Sequence, residues 1–194
     1  DLFDRAAVHR PDSWIGPLVS IPDSRYPLYV KPRQGSAAQH THKVNNSEEL
    51  EFLVRRVPNP IVQEYLPGPE ITCDLAYSFD GELLGMCQRR RIAVRSGEVL
   101  KGVTVWMEDV ANGCIRVGEE LGGVGPITVQ CMLKDGIPVF TEINARFGGG
   151  LPLAIAAGLD FPRWYLEVAA GRVPSLPPLG EYARGLYVTR FDES

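Results

Sequence analysis

The sequence predicts an α+β fold whose strands are mostly antiparallel, because hairpin patterns alternate with helical patterns along the chain. One hairpin is expected over residues 71–88, with its turn at Asp80-Gly81. A second is expected over 127–143, with its turn at Lys134-Asp135-Gly136. Both patterns place two apolar runs around the residues that tight hairpin turns favour. The sequence therefore predicts antiparallel pairing in at least two places.

Apolar residues at helical spacing predict the helices. Residues 46–57 show this spacing, and Asn46 with Glu49 fits a capping box at their start. Residues 107–121 show it again, and a glycine pair follows them. Two shorter helices are expected over 151–157 and 162–170.

Composition places the chain among ordinary globular proteins. It has 194 residues, 44% of them hydrophobic and 23% charged, and a net charge of −4, so we expect no nucleic-acid-binding face. We see no apolar stretch that could span a membrane and no signal peptide. The cysteines are widely spaced and mostly lie in apolar runs, which predicts reduced core residues in a cytoplasmic protein: Cys73, Cys87, Cys114 and Cys131.

The second hairpin carries most of the functional information. If its loop comprises the three residues 134–136, Leu133 pairs with Ile137 and Gln130 pairs with Phe140. Side chains two residues apart on a strand point to the same side, which fixes the side on which the later residues of the hairpin lie.

Polar side chains then gather on one side of this hairpin. Glu142 and Asn144 are expected on the same side as Gln130, and Arg146 follows two residues later, before the glycines 148–150. One carboxylate and two amide oxygens suit Mg²⁺, which takes few protein ligands and completes its shell with phosphate oxygens. Arg146 would grip a phosphate oxygen through its fork of donors. A solvated hairpin face with chance polar residues is the alternative.

Another candidate phosphate site lies earlier in the chain. Residues 27–33 read as a strand that carries Lys31 near its end, and residues 34–40 form a loop of small residues. A lysine beside exposed backbone amides is suited to phosphate binding.

The stretch from Glu142 to Arg146, followed by glycines and preceded by Gln130 twelve positions before Glu142, resembles the metal-binding end of ATP-grasp enzymes. The resemblance is greatest to the branch of the carbamoyl-phosphate synthetase large chain and biotin carboxylase. It extends over about residues 26–172, with the elements in the family's order.

The resemblance assigns nucleotide-binding roles. It implies that Lys31 contacts phosphates and that Gly35 and Ser36 begin the family's mobile glycine-rich loop. Ala37-Ala38 departs from the family, because relatives usually carry glycine and serine there and alanine is a less permissive residue.

The strand over 61–66 corresponds to the family's hinge between two lobes. The resemblance implies that adenine lies against it near Gln63, Glu64 and Leu66, and that Glu70 accepts hydrogen bonds from the ribose hydroxyls. A solvent-exposed glutamate at a strand start is the alternative for Glu70.

A basic run, Gln88-Arg89-Arg90-Arg91, follows the first hairpin. Neighbouring residues on a strand alternate sides, so the three arginines cannot all point the same way. In relatives a basic strand lies here near the active site, which makes one arginine a candidate for substrate or phosphate binding. Arg95, Gly97 and Lys101 are expected to lie in a loop.

The resemblance also implies an ATP-grasp fold, in which two α+β lobes clasp the nucleotide. We expect a small lobe over 26–62, a large lobe over 63–175 and a C-terminal strand and tail over 176–194. Residues 1–25 are expected to be a residual N-terminal segment, because the family normally has an α/β domain before this region.

The activity that the resemblance implies is ATP-dependent ligation of a small carboxylate to an amine through an acyl phosphate. ATP and Mg²⁺, with Mn²⁺ as an alternative metal, are the expected cofactors; Gln130, Glu142 and Asn144 hold the metal, and Lys31 and Arg146 stabilise the transferring phosphate. The expected partners are these small molecules, with neither nucleic acid nor membrane, and homo-oligomerisation stays open. An ATP-binding module, or one part of a larger synthetase without independent catalysis, is the competing hypothesis.

Overall fold

The structure is a computed structural model that describes residues 1–15, 21–35, 39–95 and 98–189. Within these ranges the helices are α1 (Leu2–Arg5), α2 (Ser47–Val54), α3 (Glu108–Leu121), α4 (Leu151–Ala156) and α5 (Phe161–Ala169), with a 3₁₀ turn at Asp23–Arg25. The strands are β1 (Ser13–Trp14), β2 (Leu28–Pro32), β3 (His42–Val44), β4 (Pro60–Glu64), β5 (Glu70–Tyr77), β6 (Leu83–Arg95), β7 (Glu98–Val105), β8 (Gly125–Lys134), β9 (Ile137–Asn144) and β10 (Tyr187–Thr189).

The strands form two sheets, and the chain divides into two compact units. The smaller unit comprises Pro11–Pro67 with Arg95–Glu98, and its sheet has the order β1-β4-β2-β3. The larger unit comprises Asp1–Arg10, Gly68–Val94 and Val99–Ser194, and its sheet has the order β10-β7-β6-β5-β8-β9. The strand pairs β2–β4, β5–β6, β5–β8 and β8–β9 are all antiparallel. The predicted α+β fold with antiparallel sheets is confirmed.

The smaller unit packs helix α2 on one face of its sheet. Leu50 of this helix is buried with a set of aliphatic side chains from the strands: Leu28, Val30, Val44 and Val62. The Asn46 side chain accepts a hydrogen bond from the Glu49 amide, as a helix cap should. The Glu49 carboxylate accepts from the Asn45 amide, one residue before the cap. The predicted capping box is therefore present with one difference: Glu49 accepts from the amide of Asn45, where a capping box would use the amide of Asn46.

The larger sheet buries one face under α3 and α1. Side chains from α3 and the strands form its main core, including Val110, Cys114, Ile71, Leu75, Val129 and Phe140. A Cβ on Gly113 would lie 2.3 Å from the Phe140 ring, so a glycine allows α3 to approach the sheet here. The helix ends at Gly122, whose φ of 67° is the left-handed cap conformation.

Helices α4 and α5 cover part of the other face of the same sheet. Phe161 and Trp164 of α5 pack over Ala76 and Cys87 of the central strands. The Asp160 side chain accepts from the Arg163 amide and caps α5 at its start. The remainder of this face carries polar side chains.

Two strands occupy the region for which the sequence predicted a loop. Arg95 ends β6 and Lys101 lies within β7, so the loop prediction is wrong for these two residues, while Gly97 lies outside the described residues. Glycine, glutamate and lysine are depleted in strands, which is why the sequence pattern there did not indicate one.

The expected domain bounds differ from the compact units at two places. The boundary expected between residues 62 and 63 falls inside β4, which pairs with β2 as far as Glu64, and the units divide after Pro67. Within residues 1–25, the first ten belong to the larger unit, where the Phe140 amide donates a hydrogen bond to the His9 carbonyl.

All four cysteines are buried and unpaired, as predicted. Burial raises the pKa of the Cys73, Cys87 and Cys131 thiols above the ordinary value. In the described part of the chain, none of the helices combines the length and apolarity that a membrane crossing needs.

We expect the thiols of the native chain to react slowly with iodoacetamide at pH 8, while the chain in guanidinium chloride is labelled at all four cysteines. The folded-state pKa values of Cys73, Cys87 and Cys131 are raised, so the stability linked to these three thiols is complete below about pH 8.5 and declines as the pH rises above it. Mass spectrometry of timed samples measures the labelling. Rapid labelling of Cys87 in the native chain would contradict this prediction.

Candidate active site

The turn of the β8–β9 hairpin is shorter than the sequence predicted. Lys134 pairs with Ile137 across a two-residue turn, so the predicted pairing of Leu133 with Ile137 is wrong. Asp135 and Gly136 have φ values of 52° and 84°. Positive φ at both central residues matches the right-handed twist of the flanking strands, and Asp-Gly favours such a turn.

A β-bulge shifts the register of the same hairpin by one residue, further from the turn. Counting away from the turn, Cys131 pairs with Phe140, but the residue before it on β8, Gln130, pairs with Glu142 and not with Thr141. Thr141 is therefore an extra residue on β9. Phe140 points into the core, opposite Cys131, and the predicted pairing of Gln130 with Phe140 is wrong. The bulge allows Phe140 and Glu142, two residues apart, to point to opposite faces.

The polar side chains nevertheless share one face, as the sequence predicted. Residues that are direct partners across antiparallel strands point to the same side. Gln130 pairs with Glu142, and Thr128 pairs with Asn144. Through β5 and β6 the face continues across four strands, and we call it the polar face: Glu70, Asp74, Arg89, Arg91, Thr128, Gln130, Glu142 and Asn144.

The predicted metal-binding residues contact each other or a neighbouring carboxylate. The Asn144 amide donates to Glu142 Oε1 over 2.8 Å, and the Gln130 amide donates to Glu70 Oε1. Each amide nitrogen faces a carboxylate, so the amide oxygen is the atom that would coordinate a metal. The described residues contain no group of three or more histidine, cysteine, aspartate or glutamate side chains that could hold a metal.

This donor set fits Mg²⁺ that receives most of its ligands from phosphate and water. Gln130, Glu142 and Asn144 would supply oxygen atoms, but only one carboxylate among them. Arg146, the next polar residue, is exposed, and its Nη1 donates to the Phe147 carbonyl over 2.9 Å.

Glu70 lies on the same face, at the start of β5. It accepts from Gln130 and also from Arg91, whose side chain is 9% exposed against 22% for Glu70. Glu70 thus links the predicted ribose-binding position to the predicted metal-binding residues. Its ribose contact stays a prediction.

The basic run divides between the two faces of the sheet, as strand alternation requires. Arg89 and Arg91 lie on the polar face, whereas Arg90 pairs with Ile71 on the other face and is exposed. Arg89 is not available to a ligand in this structure, because it is buried against Asp74. Its Nε lies 3.0 Å from Asp74 Oδ2, and its Nη2 lies 3.0 Å from Asp74 Oδ1.

The Asp74–Arg89 ion pair is the main feature that the sequence reasoning missed. The side chains of Asp74 and Arg89 are 4% and 3% exposed. Burial acts to lower the pKa of the Arg89 guanidinium, but the charge and hydrogen bonds of Asp74 outweigh it and raise that pKa above its ordinary value. Arg89 therefore keeps its positive charge beside Asp74.

The smaller unit holds the other predicted nucleotide-binding residues. Lys31 pairs with Ile61 and Gln63 pairs with Tyr29, so Lys31 and Gln63 share one face of its sheet. The Gln63 side chain donates to the Ser13 hydroxyl over 3.0 Å.

Glu64 points to the opposite face from Gln63, and its amide donates to the Asp12 carbonyl over 2.9 Å. Leu66 is buried just after β4, and Gly35 is exposed. Ser36 and the Ala37-Ala38 pair lie outside the described residues.

A family model described as ATP-grasp in the biosynthetic pathway with Ter operon matches residues 56–191. The chain belongs to the ATP-grasp family. The carbamoyl phosphate synthase large chain of Thermoanaerobacter sp. is 28% identical over 179 residues, which cover 84% of this chain and 16% of that protein. A D-alanine–D-alanine ligase of Bacillus anthracis is 27% identical over 139 residues, which cover 63% of this chain and 45% of that ligase.

The fold is also found in a solved biotin carboxylase. The biotin carboxylase domain of Hydrogenobacter thermophilus 2-oxoglutarate carboxylase, in complex with MgADP and bicarbonate, has a TM-score of 0.74 and 18% identity. The match covers 96% of this chain and 47% of that one. These relatives confirm the predicted ATP-grasp fold and branch. This ATP-grasp chain spans less than half the length of each of the three relatives.

We expect Asp74→Ala to lower the free energy of unfolding by about 3–5 kcal/mol, because it leaves Arg89 buried without a counter-charge. Urea denaturation of the full chain measures the loss. Arg163→Ala is the control, since it breaks the Arg163–Glu167 pair on α5, in which Arg163 is 71% exposed. That change should cost about 1 kcal/mol or less. Equal losses in the two variants would contradict a special role for burial.

Proposed function

We propose that this chain binds Mg-ATP and takes part in the ATP-dependent ligation of a small carboxylate to an amine. The observation that carries the proposal is the donor set at the β8–β9 end of the polar face, in a chain of the ATP-grasp family. There Gln130, Glu142 and Asn144 place one carboxylate and two amides side by side, and Arg146 follows on the chain. This is a donor set for a metal that arrives with phosphate, and it is what phosphoryl transfer needs.

In the proposed reaction, an oxygen of the substrate carboxylate attacks the γ-phosphorus of ATP. The bond from that phosphorus to the bridging oxygen breaks, ADP leaves, and an acyl phosphate forms. The amine then attacks the acyl carbon, phosphate leaves with the electron pair of the broken bond, and the amine loses a proton. Bound Mg²⁺ would neutralise negative charge on the phosphates.

The residues of the chain position the reactants and balance charge. Glu142, Gln130 and Asn144 would hold the metal, and Arg146 would donate to an oxygen of the transferring phosphate. From the smaller unit, Lys31 would supply a further positive charge to the phosphates. Glu70 would contact the ribose while it accepts from Gln130. Since the Glu64 amide is already bonded to Asp12, we place the adenine contact nearer Leu66 than Glu64.

The substrate class in this proposal rests on the relatives. A D-alanine–D-alanine ligase and a carbamoyl phosphate synthase both match much of this chain, so an amino acid or another small carboxylate is the first class to screen. A cytoplasmic location belongs to the same proposal.

A second hypothesis is an ATP-binding module, or a part of a larger synthetase, without catalysis of its own. The observation that favours it is the short span of the chain relative to its relatives. An assay for ADP release with a panel of amino acids and small carboxylates separates the two. ADP release that depends on a carboxylate supports the ligase, whereas ATP binding without any release supports the module.

We expect Mg-ATP to raise the thermal unfolding midpoint of the wild type, because a ligand that binds only the folded state stabilises it. At 100 times its dissociation constant the gain is about 2.7 kcal/mol. Glu142→Ala should lose most of this response, because the face then lacks its only predicted carboxylate metal ligand. Glu82→Ala, an exposed glutamate at the first hairpin turn, is the matched control and should respond like the wild type. A wild-type unfolding midpoint that does not change with Mg-ATP would contradict the proposed function.

We expect Mg²⁺ without nucleotide to bind weakly, because Gln130 is neutral and Glu142 is the one carboxylate in the proposed ligand set. Isothermal calorimetry with MgCl₂ alone measures this. Gln130→Glu should strengthen nucleotide-free binding, since it places a second carboxylate beside Glu142 and close to Glu70. A tight Mg²⁺ site in the nucleotide-free wild type would show that this account of the donor set is wrong.

A further inference from the structure

We propose that Asp74, Arg89 and Thr128 form a positioning network that fixes the backbone between Arg146 and Gly150. By fixing that segment, the network would hold Arg146 and Asn144 in place beside Gln130 and Glu142. The inference rests on the proposed function of the polar face and adds residues that act on it indirectly. They are positioning residues, because each acts through the backbone of the segment 146–150 rather than on a ligand.

Thr128 joins the ion pair to this segment. Its hydroxyl oxygen lies 3.0 Å from the Arg146 carbonyl oxygen and 3.2 Å from Asp74 Oδ1. Both neighbours are acceptors, and a hydroxyl has a single proton, so the two compete for one hydrogen bond. Arg89 already donates to both Asp74 oxygens. The Thr128 proton can therefore go to the Arg146 carbonyl without leaving Asp74 unsatisfied.

The glycines after Arg146 lie directly on the ion pair. A Cβ on Gly148 would lie 2.3 Å from Asp74 Oδ1 and 2.6 Å from Arg89 Nη2. A Cβ on Gly150 would lie 2.3 Å from both Nε and Cζ of Arg89. No real Cβ makes contacts this short, so the backbone reaches the pair only because these residues are glycines.

The pair has one arrangement available to it. Two side chains that are almost fully buried and joined by two parallel hydrogen bonds cannot rotate without leaving charges unpaired. The segment packed on them therefore meets a rigid surface. At its start the Arg146 amide donates to the Asn144 carbonyl over 2.9 Å, so the placement of the segment is coupled to the end of β9.

The test compares Thr128→Val, which keeps the shape and removes the donor, with Thr128→Ser, which keeps the donor. The matched control is Thr104→Val on β7, which is separated from β8 by β6 and β5. Thr104 is buried like Thr128, and its hydroxyl also donates to a backbone carbonyl, that of Ala183. Two readouts are taken on the full chain: amide hydrogen exchange of residues 146–151, and the dissociation constant for Mg-ATP by calorimetry.

We expect Thr128→Val to speed exchange in 146–151 and to weaken Mg-ATP binding roughly 10–100-fold, the usual effect of removing a residue that orients a binding group. Thr128→Ser should restore both values, and Thr104→Val should change neither. Thr128→Val with unchanged exchange, or with faster exchange and unchanged Mg-ATP affinity, overturns the inference. A wild type that fails to bind Mg-ATP instead overturns the proposed function, and the inference with it.

Discussion

A pair of opposite charges buried in the larger sheet constrains the structure around it. Asp74 and Arg89 lie almost fully buried on adjacent strands, so removing either one would leave the other without a counter-charge. That requirement fixes two neighbouring features. The segment above them must lack side chains, as Gly148 and Gly150 do, and the neighbouring position on the third strand must hold a small residue, as Thr128 is. The glycines that follow Arg146 are therefore a packing requirement as well as a family feature.

The two faces of the larger sheet differ in composition: one packs the core, and the other carries the polar side chains of the proposed site. The face under α3 is closed by aliphatic and aromatic side chains and by all but one of the four cysteines. The opposite face is covered in part by α5 and elsewhere carries the paired charges and amides. Because strand residues alternate, each strand serves both purposes at once. The polar groups are consequently held by the same backbone that the core makes rigid.

The sequence indicated more of the composition of the site than of its geometry. The turn residues and apolar runs were sufficient for the hairpins and for α3, because those signals are local. These local signals did not predict the register of β8 and β9, because the bulge at Thr141 follows from the burial of Phe140 against α3. The sequence also contains a signal for the Asp74–Arg89 pair, which the predictions did not use. With a turn at Asp80-Gly81, strand counting places Arg89 diagonally opposite an aspartate in an apolar strand.

The bulge at Thr141 also shows how a strand can take up an extra residue without losing a surface. If Thr141 paired with Gln130 in a regular ladder, Glu142 and Asn144 would turn towards α3, and Ile143 would lie among the charges. Because the bulge leaves Thr141 outside the ladder, Glu142 and Asn144 stay on the polar face, and the hairpin turn and the other strands are unchanged. A one-residue change of length is thus absorbed where a bulge accommodates it, whereas the same change in a regular ladder exchanges one surface of the strand for the other.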